Sequence, residues 1–347
     1  MWSYFARRLL LAIPTLLFST LIVFLVVQKA PGGPVEAAIL AMQTGNNAGG
    51  EAGGGSADMT NNGVSEQAIL EIKRYYNLDK PIPVRYGLWV MKILQFDFGV
   101  SSNFGKPVWE LLKGRFKISI TLGLLGFLLS YTICIPLGIF KAIKHNGYFD
   151  FGSSVLVFAG YSIPGWAFGM LALMYFASPD YGYEWFPLGQ IRSQQEVWKD
   201  LSGWGRLLDY AHHALLPVMA YMLGSFARLT ILTKNSLMEN LGQDYVRTAF
   251  AKGLPERRVI VVHAMRNSLI PLATGLGHIF SLVLAGSYLI ESVFQIEGMG
   301  MLGFKAIINK DVNIVMGILV ISTSLSLFGN IVQDVLYCIF DPRIRFK

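Results

Sequence analysis

Long apolar runs constrain this chain more than anything else in it. Roughly 20 mostly apolar residues in helix cross the hydrocarbon core of a bilayer. Such runs recur over residues 9–27, 118–140, 151–177, 215–233, 271–290 and 312–336. With no water in the bilayer, each backbone group must find its partner within its own helix. Six such segments therefore predict an all-α, polytopic membrane protein. Composition agrees: 53% of residues are hydrophobic and only 15% charged, against about 25% charged in soluble domains. Mean hydropathy is +0.47.

The first run follows Arg7 and Arg8, as a signal peptide's would, but a signal peptide's apolar stretch is only about 7 to 15 residues long. Its exit, Gln28-Lys29-Ala30-Pro31, has no small-x-small cleavage site, so it reads as a retained anchor. Pro14, Pro136 and Pro164 fall inside spans, which a membrane bundle tolerates when neighbours satisfy the freed carbonyls. Cys134 and Cys338 sit in apolar runs without a CxxC partner, so they read as small buried hydrophobes.

Basic residues in short loops set orientation. One side carries Arg7 and Arg8, Lys141 and Lys144, Lys234, Arg247, Lys252, Arg257, Arg258 and Arg266, then Arg343, Arg345 and Lys347. Across the membrane, Arg192, Lys199 and Arg206 are offset by Asp180, Glu184, Glu196, Asp200 and Asp209. Both termini are thus expected in the cytoplasm. Three parts follow: an N-terminal helix over 1–29, an outer insertion over 30–117, and a core over 118–347 with a cytoplasmic loop at 236–270. In the insertion, 45–63 is a Gly/Asn-rich excursion. Ser65 caps a helix ending near Asn77, a second is expected over 84–96 and stopped by Gly99, and a third starts at Pro107 and leads into the second span. Together these make a small helical cap on the outer mouth.

The net charge of +7 does not indicate nucleic acid, because lysines and arginines at membrane helix ends give the same excess and no basic stripe with interleaved aromatics occurs. No phosphate-cradling G-x-x-x-x-G-K-[ST], H-E-x-x-H or G-x-S-x-G is present. Ionisable residues in the spans are Arg228, His278 and Asp334, too scattered for a proton or ion relay. Powered transport by such a chain needs energy from outside it.

The loop between the fourth and fifth spans carries most information. It reads Gln243-Asp244-Tyr245-Val246-Arg247-Thr248-Ala249-Phe250-Ala251-Lys252-Gly253-Leu254-Pro255-Glu256-Arg257-Arg258, then His263 and Arg266. Gly253 suits the left-handed position that ends a helix. Pro255 then opens a second helix with Glu256 in its first turn. Thr248, Ala249 and Ala251 are small enough to let another surface approach. The second helix does not separate into polar and apolar faces, which implies burial against more than one neighbour. An ordinary loop packed under its own bundle is the plain alternative.

This loop resembles the coupling loop, or EAA motif, of the permeases of ATP-binding cassette (ABC) importers, specifically the dipeptide/oligopeptide class. The resemblance runs along nearly the whole chain: Arg7-Arg8-Leu9, Ala30-Pro31-Gly32-Gly33-Pro34, Ser162-Ile163-Pro164, His212-His213 with Leu216-Pro217, Glu291-Ser292-Val293-Phe294 with Gly298 and Gly300, Asn330, Asp334 and Asp341-Pro342-Arg343-Ile344-Arg345. Gly32-Gly33-Pro34 and the glycine-rich insertion look most like the Yej-type branch, associated with oligopeptides and microcin C-like peptides. Departures are Arg247-Thr248-Ala249 at the Glu-Ala-Ala stretch, Phe116-Lys117 where relatives have Leu-Pro, and Asp311-Val312-Asn313 for Asp-Tyr-Pro.

The resemblance implies a type I importer fold in the bacterial inner membrane, with no catalytic residue and no cofactor of its own. It implies a second, similar permease as partner, cytoplasmic ATPase subunits that meet the loop, and a periplasmic peptide-binding protein. Asp244, Tyr245, Arg247, Thr248, Ala249, Lys252, Gly253, Leu254, Pro255, Arg257, Arg258, His263 and Arg266 would form the ATPase-coupling loop. Pro164, Glu291 and Phe294 are candidates for the pathway or a gate. For Glu291 a bond to the backbone near Gly298 and Gly300 competes with a contact to a substrate amine. Trp185, Phe186, Trp198 and Trp204 read as membrane-interface aromatics. The rivals are a self-sufficient channel or secondary carrier, an intramembrane enzyme and a structural scaffold. They would need a selectivity ring or inverted repeat, a nucleophile–base pair, or some other use for the loop.

Overall fold

A computed structural model of the chain describes residues 2–29, 79–272, 275 and 286–340. Most of the fifth expected span, the stretch 45–63, the helix expected over 65–77, His278 and residues 341–345 lie outside the described residues.

Apolar composition becomes helix as expected. The segments are α1 (Trp2–Lys29), α2 (Ile82–Leu94), α3 (Val108–Ile143), α4 (Tyr148–Ser162), α5 (Gly165–Phe176), α6 (Gln195–Asp200) and α7 (Gly203–Leu241), then α8 (Asp244–Ala251), α9 (Glu256–Arg258), a π-helical Val259–Ala264, α10 (Met265–Ser268), α11 (Tyr288–Val293), α12 (Met299–Ile308) and α13 (Val312–Phe340). Among the described residues α1, α3, α7 and α13 are long and apolar enough to cross a membrane, and the bent pair α4–α5 makes a fifth crossing if counted as one. Leu9, Leu10, Phe18 and Ile22 of α1 stay exposed, as a helix bathed in lipid allows and a soluble core does not.

Two expectations change. The third span is not one helix: α4 and α5 meet at 95°. Pro164 lacks an N–H and pushes the residue before it out of the helical region, so Ile163 is extended (φ −96°, ψ 118°). Pro164 thus breaks the span, where a tolerated interior proline was expected. The helix expected over 84–96 ends at Leu94. Phe96, at φ +58°, provides the left-handed stop that Gly99 was expected to give, and its N–H donates to the Ile93 carbonyl (2.9 Å). The helix starting after Pro107 and the second span are one continuous helix of 36 residues, about 54 Å long.

The chain divides into two compact units, one of residues 1–12, 115–302 and 322–347, the other of 13–114 and 303–321. In the first, Leu122, Ala172, Ala214, Leu216, Val218, Ala220, Ile290, Phe294 and Ile296 form the main core. Alanines at its helix contacts let backbones approach closely, the usual device where lipid removes the hydrophobic drive. Arg8 pairs with Asp334 (2.5 Å), joining α1 near its start to α13 near its end. In the second unit, buried Asp311 caps α13. It accepts from Ser101 Oγ (2.5 Å), the Asn103 N–H (3.2 Å) and the Ile314 N–H (3.4 Å). The Tyr86 hydroxyl donates to the Leu17 carbonyl (2.7 Å), and Phe24, Tyr86 and Trp89 cluster with ring centroids 5.5–6.0 Å apart.

Candidate functional site

After α7 the chain turns at Gly242, and α8 begins with Asp244 favourably placed in its first turn. The end of α8 is a Schellman motif. The Gly253 N–H reaches the Phe250 carbonyl (2.9 Å) and the Leu254 N–H the Ala249 carbonyl (3.4 Å), with Gly253 left-handed at φ +75°. Leu254 then packs beside Ala249 in the core below. Pro255 stands one position earlier than expected. It is the N-cap of α9, and its carbonyl accepts from the N–H groups of Arg258 (2.8 Å) and Val259 (3.1 Å).

The second helix of the loop explains its mixed faces. Its middle, Val259–Ala264, is π-helical, and wider turns move the buried stripe to Val259, Ile260, Ala264 and Ser268. With Ala142, Leu237, Val246 and Ala249 these apolar side chains form one core under the loop. Val246, Val259 and Leu237 are wholly buried, each contributing about 1.5–3 kcal/mol. Ser236 and Ser268 also exchange hydroxyl-to-carbonyl bonds (3.0 and 3.2 Å). The loop is thus packed on α7 through this core and the serine pair.

Its outer face is open. Asp244, Tyr245, Arg247, Thr248, Lys252, Gly253, Pro255, Arg257, Arg258 and Arg266 are exposed, with Leu254 and His263 half-buried. Ala249, expected to face a partner, points inward at 6% exposure, so Thr248 and Ala251 alone give the small outer surface. Phe250, Val261 and Val262 are exposed apolar side chains among these charges, a mixture that marks a contact surface. The Arg247–Asp244 pair (3.7 Å) is solvated on both sides and adds little stability.

Sequence reading missed a buried ionic cluster beside this core. Asp150, 5% exposed, receives Lys234 Nζ at 2.6 and 2.8 Å, Lys141 Nζ at 3.1 Å and the Asn146 N–H at 3.2 Å, with His145 at 3.4 Å. Lys141, counted above as a loop charge, is 1% exposed and also donates to Ser153 (2.9 Å) and Ser154 (2.7 Å). The available signal was Asp150 in the first turn of an apolar helix, with two serines one turn on.

The candidates for a gate gather elsewhere. α5 lies against α11, with Gly169 against the Phe294 ring, and Phe294 is a core residue at 1% exposure. Glu291 is fully buried. It accepts from the Met301 N–H (2.7 Å), Ser119 Oγ (3.1 Å) and Tyr221 OH (3.4 Å). Its carboxylate fills the space a Cβ on Gly298 would take. In this structure Glu291 holds the 286–301 backbone. Glu291→Ala is expected to destabilise the protein by roughly 3 kcal/mol by orphaning buried donors, and Glu291→Gln by about 1 kcal/mol. Thermal unfolding in detergent checks this. Parental melting of both variants with lost uptake would instead assign the carboxylate to substrate.

The described residues thus form an apolar helical bundle with a helix–Gly–helix loop packed on α7. Residues 134–346 match the family described as binding-protein-dependent transport system inner membrane component, and the chain belongs to that family, a transport component of the inner membrane. It is 39% identical to the inner membrane ABC transporter permease protein YejB of Escherichia coli O157:H7, over 100% of both chains. It is 35% identical to the peptidoglycan transport system permease protein YejB of Agrobacterium fabrum, over 100% of this chain and 99% of that one. It is 32% identical to the oligopeptide transport system permease protein AppB of Bacillus subtilis, over 100% of both.

Proposed function

We propose that this chain is a permease subunit of an ATP-binding cassette importer that carries peptides into the cytoplasm. The observation that carries the reading is the loop: its inner face is packed on α7, and its outer face is basic, partly apolar and, among the described residues, exposed. Peptide as cargo is supported by the name of the Bacillus subtilis relative, an oligopeptide transport system permease similar over the full chain.

A second, homologous permease completes the pathway as a heterodimer. Cytoplasmic ATPase subunits meet Tyr245, Arg247, Lys252, Arg257, Arg258 and Arg266, and a periplasmic peptide-binding protein delivers cargo at the side of the insertion 30–117. ATP binding draws the ATPases together. Because the loop is packed on α7, its displacement passes through the core beneath it to that helix, and through Asp150 to α3 and α4. The bend at Pro164 gives α4 and α5 a place to change angle. Pairing of Arg8 with Asp334 supports both termini on one side of the bundle.

The test is uptake of a labelled tripeptide by vesicles holding the complete assembly. ATP-dependent accumulation that vanishes without the ATPases supports the reading. Uptake by this chain alone would overturn it in favour of a self-sufficient carrier.

A further inference from the structure

A cleft of about 350 Å³ opens among residues of the 188–197 segment, His213 and Gln295, the last of these in the turn that follows α11. Two of its residues are held in an unusual backbone conformation. Gln190 has φ +63° and Gln295 φ +51°, left-handed values that non-glycine residues rarely adopt. They are tied together, since the Gln190 N–H donates to the Phe294 carbonyl (2.8 Å) and Phe294 is anchored in the core. Such strain, imposed by surrounding packing, is concentrated at ligand clamps.

The chemistry of the lining is specific. Gln190, Gln194 and Gln295 bring three carboxamides, each able to donate and accept. Arg192 brings the cleft's permanent charge, and its guanidinium lies 5.2 Å from the Trp198 ring centroid, which steadies its plane. Among the described residues no acidic side chain lines the cleft. Nearby Asp209 is engaged: it accepts the Ser193 N–H (3.0 Å), the Ser193 hydroxyl and, at 3.5 Å, His213 Nδ1. His213 Nδ1 also lies 2.9 Å from the Asp209 carbonyl, so with two oxygen acceptors against it this nitrogen is the donor.

We propose that this cleft is a substrate subsite for the carboxyl end of a peptide, with the terminal carboxylate on Arg192 and the last amide groups on Gln190, Gln194 and Gln295. The inference rests on the peptide-importer reading above. Carboxamides pair with backbone amides without reading side chains, which suits cargo of varied sequence. A planar guanidinium recognises a carboxylate with two parallel hydrogen bonds. The volume, at the small end of the roughly 300–1,000 Å³ range of ligand pockets, holds two or three terminal residues and not a whole oligopeptide.

The experiment compares initial uptake of Ala-Ala-Ala and its C-terminal amide by the complete reconstituted importer, with the same native binding protein in every arm. Selection by the binding protein then cancels, and a change in the acid-to-amide ratio belongs to the permease. Arg192→Ala should lower that ratio about tenfold, as expected when a hydrogen-bonded charge pair is lost, and Arg192→Lys should restore part of it. An unchanged ratio in Arg192→Ala, or equal loss of both substrates, overturns the subsite while leaving the importer reading intact. Failure of the parental assembly to take up either tripeptide overturns the peptide reading, and the subsite with it.

Discussion

Asp150→Ala is expected to be the most destabilising single change described for this chain, costing about 3–5 kcal/mol, the usual consequence of removing one partner from a buried ion pair. The carboxylate sits between two ammonium groups, Lys234 at 2.6 Å and Lys141 at 3.1 Å. Lys141 is almost fully enclosed, so without Asp150 its charge has only the Ser153 and Ser154 hydroxyls and the Asp150 main-chain carbonyl as acceptors. An enclosed Lys141 would then face a second cation, the half-buried Lys234, with no carboxylate between them. Thermal unfolding in detergent, read with the yield of folded chain, measures the effect. A parental melting temperature would show that the cluster is solvated and the burial argument wrong. Replacing all three at once, by Lys141→Met, Asp150→Leu and Lys234→Met, should recover most of the loss, because well-packed apolar groups often replace buried ions at little cost. If stability returns but transport does not, the ions serve to fix the angle among α3, α4 and α7.

How much of this was legible in the sequence follows from the range of each interaction. Spans 9–27, 118–140, 215–233 and 312–336 could be read because hydropathy is a local sum over about 20 residues. The same averaging hid the break at Pro164: residues 151–177 are as apolar bent as straight, and the proline was visible but assigned to a helix interior. The turn at Gly253 was legible because left-handed geometry is a property of one residue and its immediate neighbours. Failure of residues 256–269 to form two faces was also visible, yet the π-helical register that resolves it is set by packing on Leu237 and Ala142, remote in sequence. Ala249 was misplaced for the same reason, since only the seat of the loop decides which small residue turns inward. Lys141 and Lys234 were counted only as charges that set orientation, and their convergence on Asp150 links residues as far as 84 apart and leaves no local pattern. Gln190 and Gln295 were invisible as a pair, because neither has a sequence signature for a left-handed backbone.

Gly253→Val is expected to abolish transport while leaving the bundle assembled. Nothing lies within 4 Å of a Cβ placed on Gly253, so bulk is not the obstacle. The obstacle is φ +75°, where a β-branched residue is strained by roughly 1–2 kcal/mol and the chain gains by leaving the left-handed region. Leaving it breaks the two bonds of the Schellman motif, from Gly253 to Phe250 and from Leu254 to Ala249, and withdraws Leu254 from the core beneath the loop. α8 and α9 then lose their fixed angle, whereas α1, α3, α7 and α13 are stabilised elsewhere. Uptake should fall at least tenfold, with chain level and melting temperature near parental values. ATP hydrolysis by the assembly should either fall with uptake or continue without it. Gly253→Asn separates conformation from chemistry, since asparagine enters the left-handed region more readily than other residues and the site is exposed. Its uptake should stay within about threefold of the parent. Equal loss in the asparagine and valine variants would place the requirement in close approach of a partner surface to Gly253, and full activity in both would make the loop a passive connector.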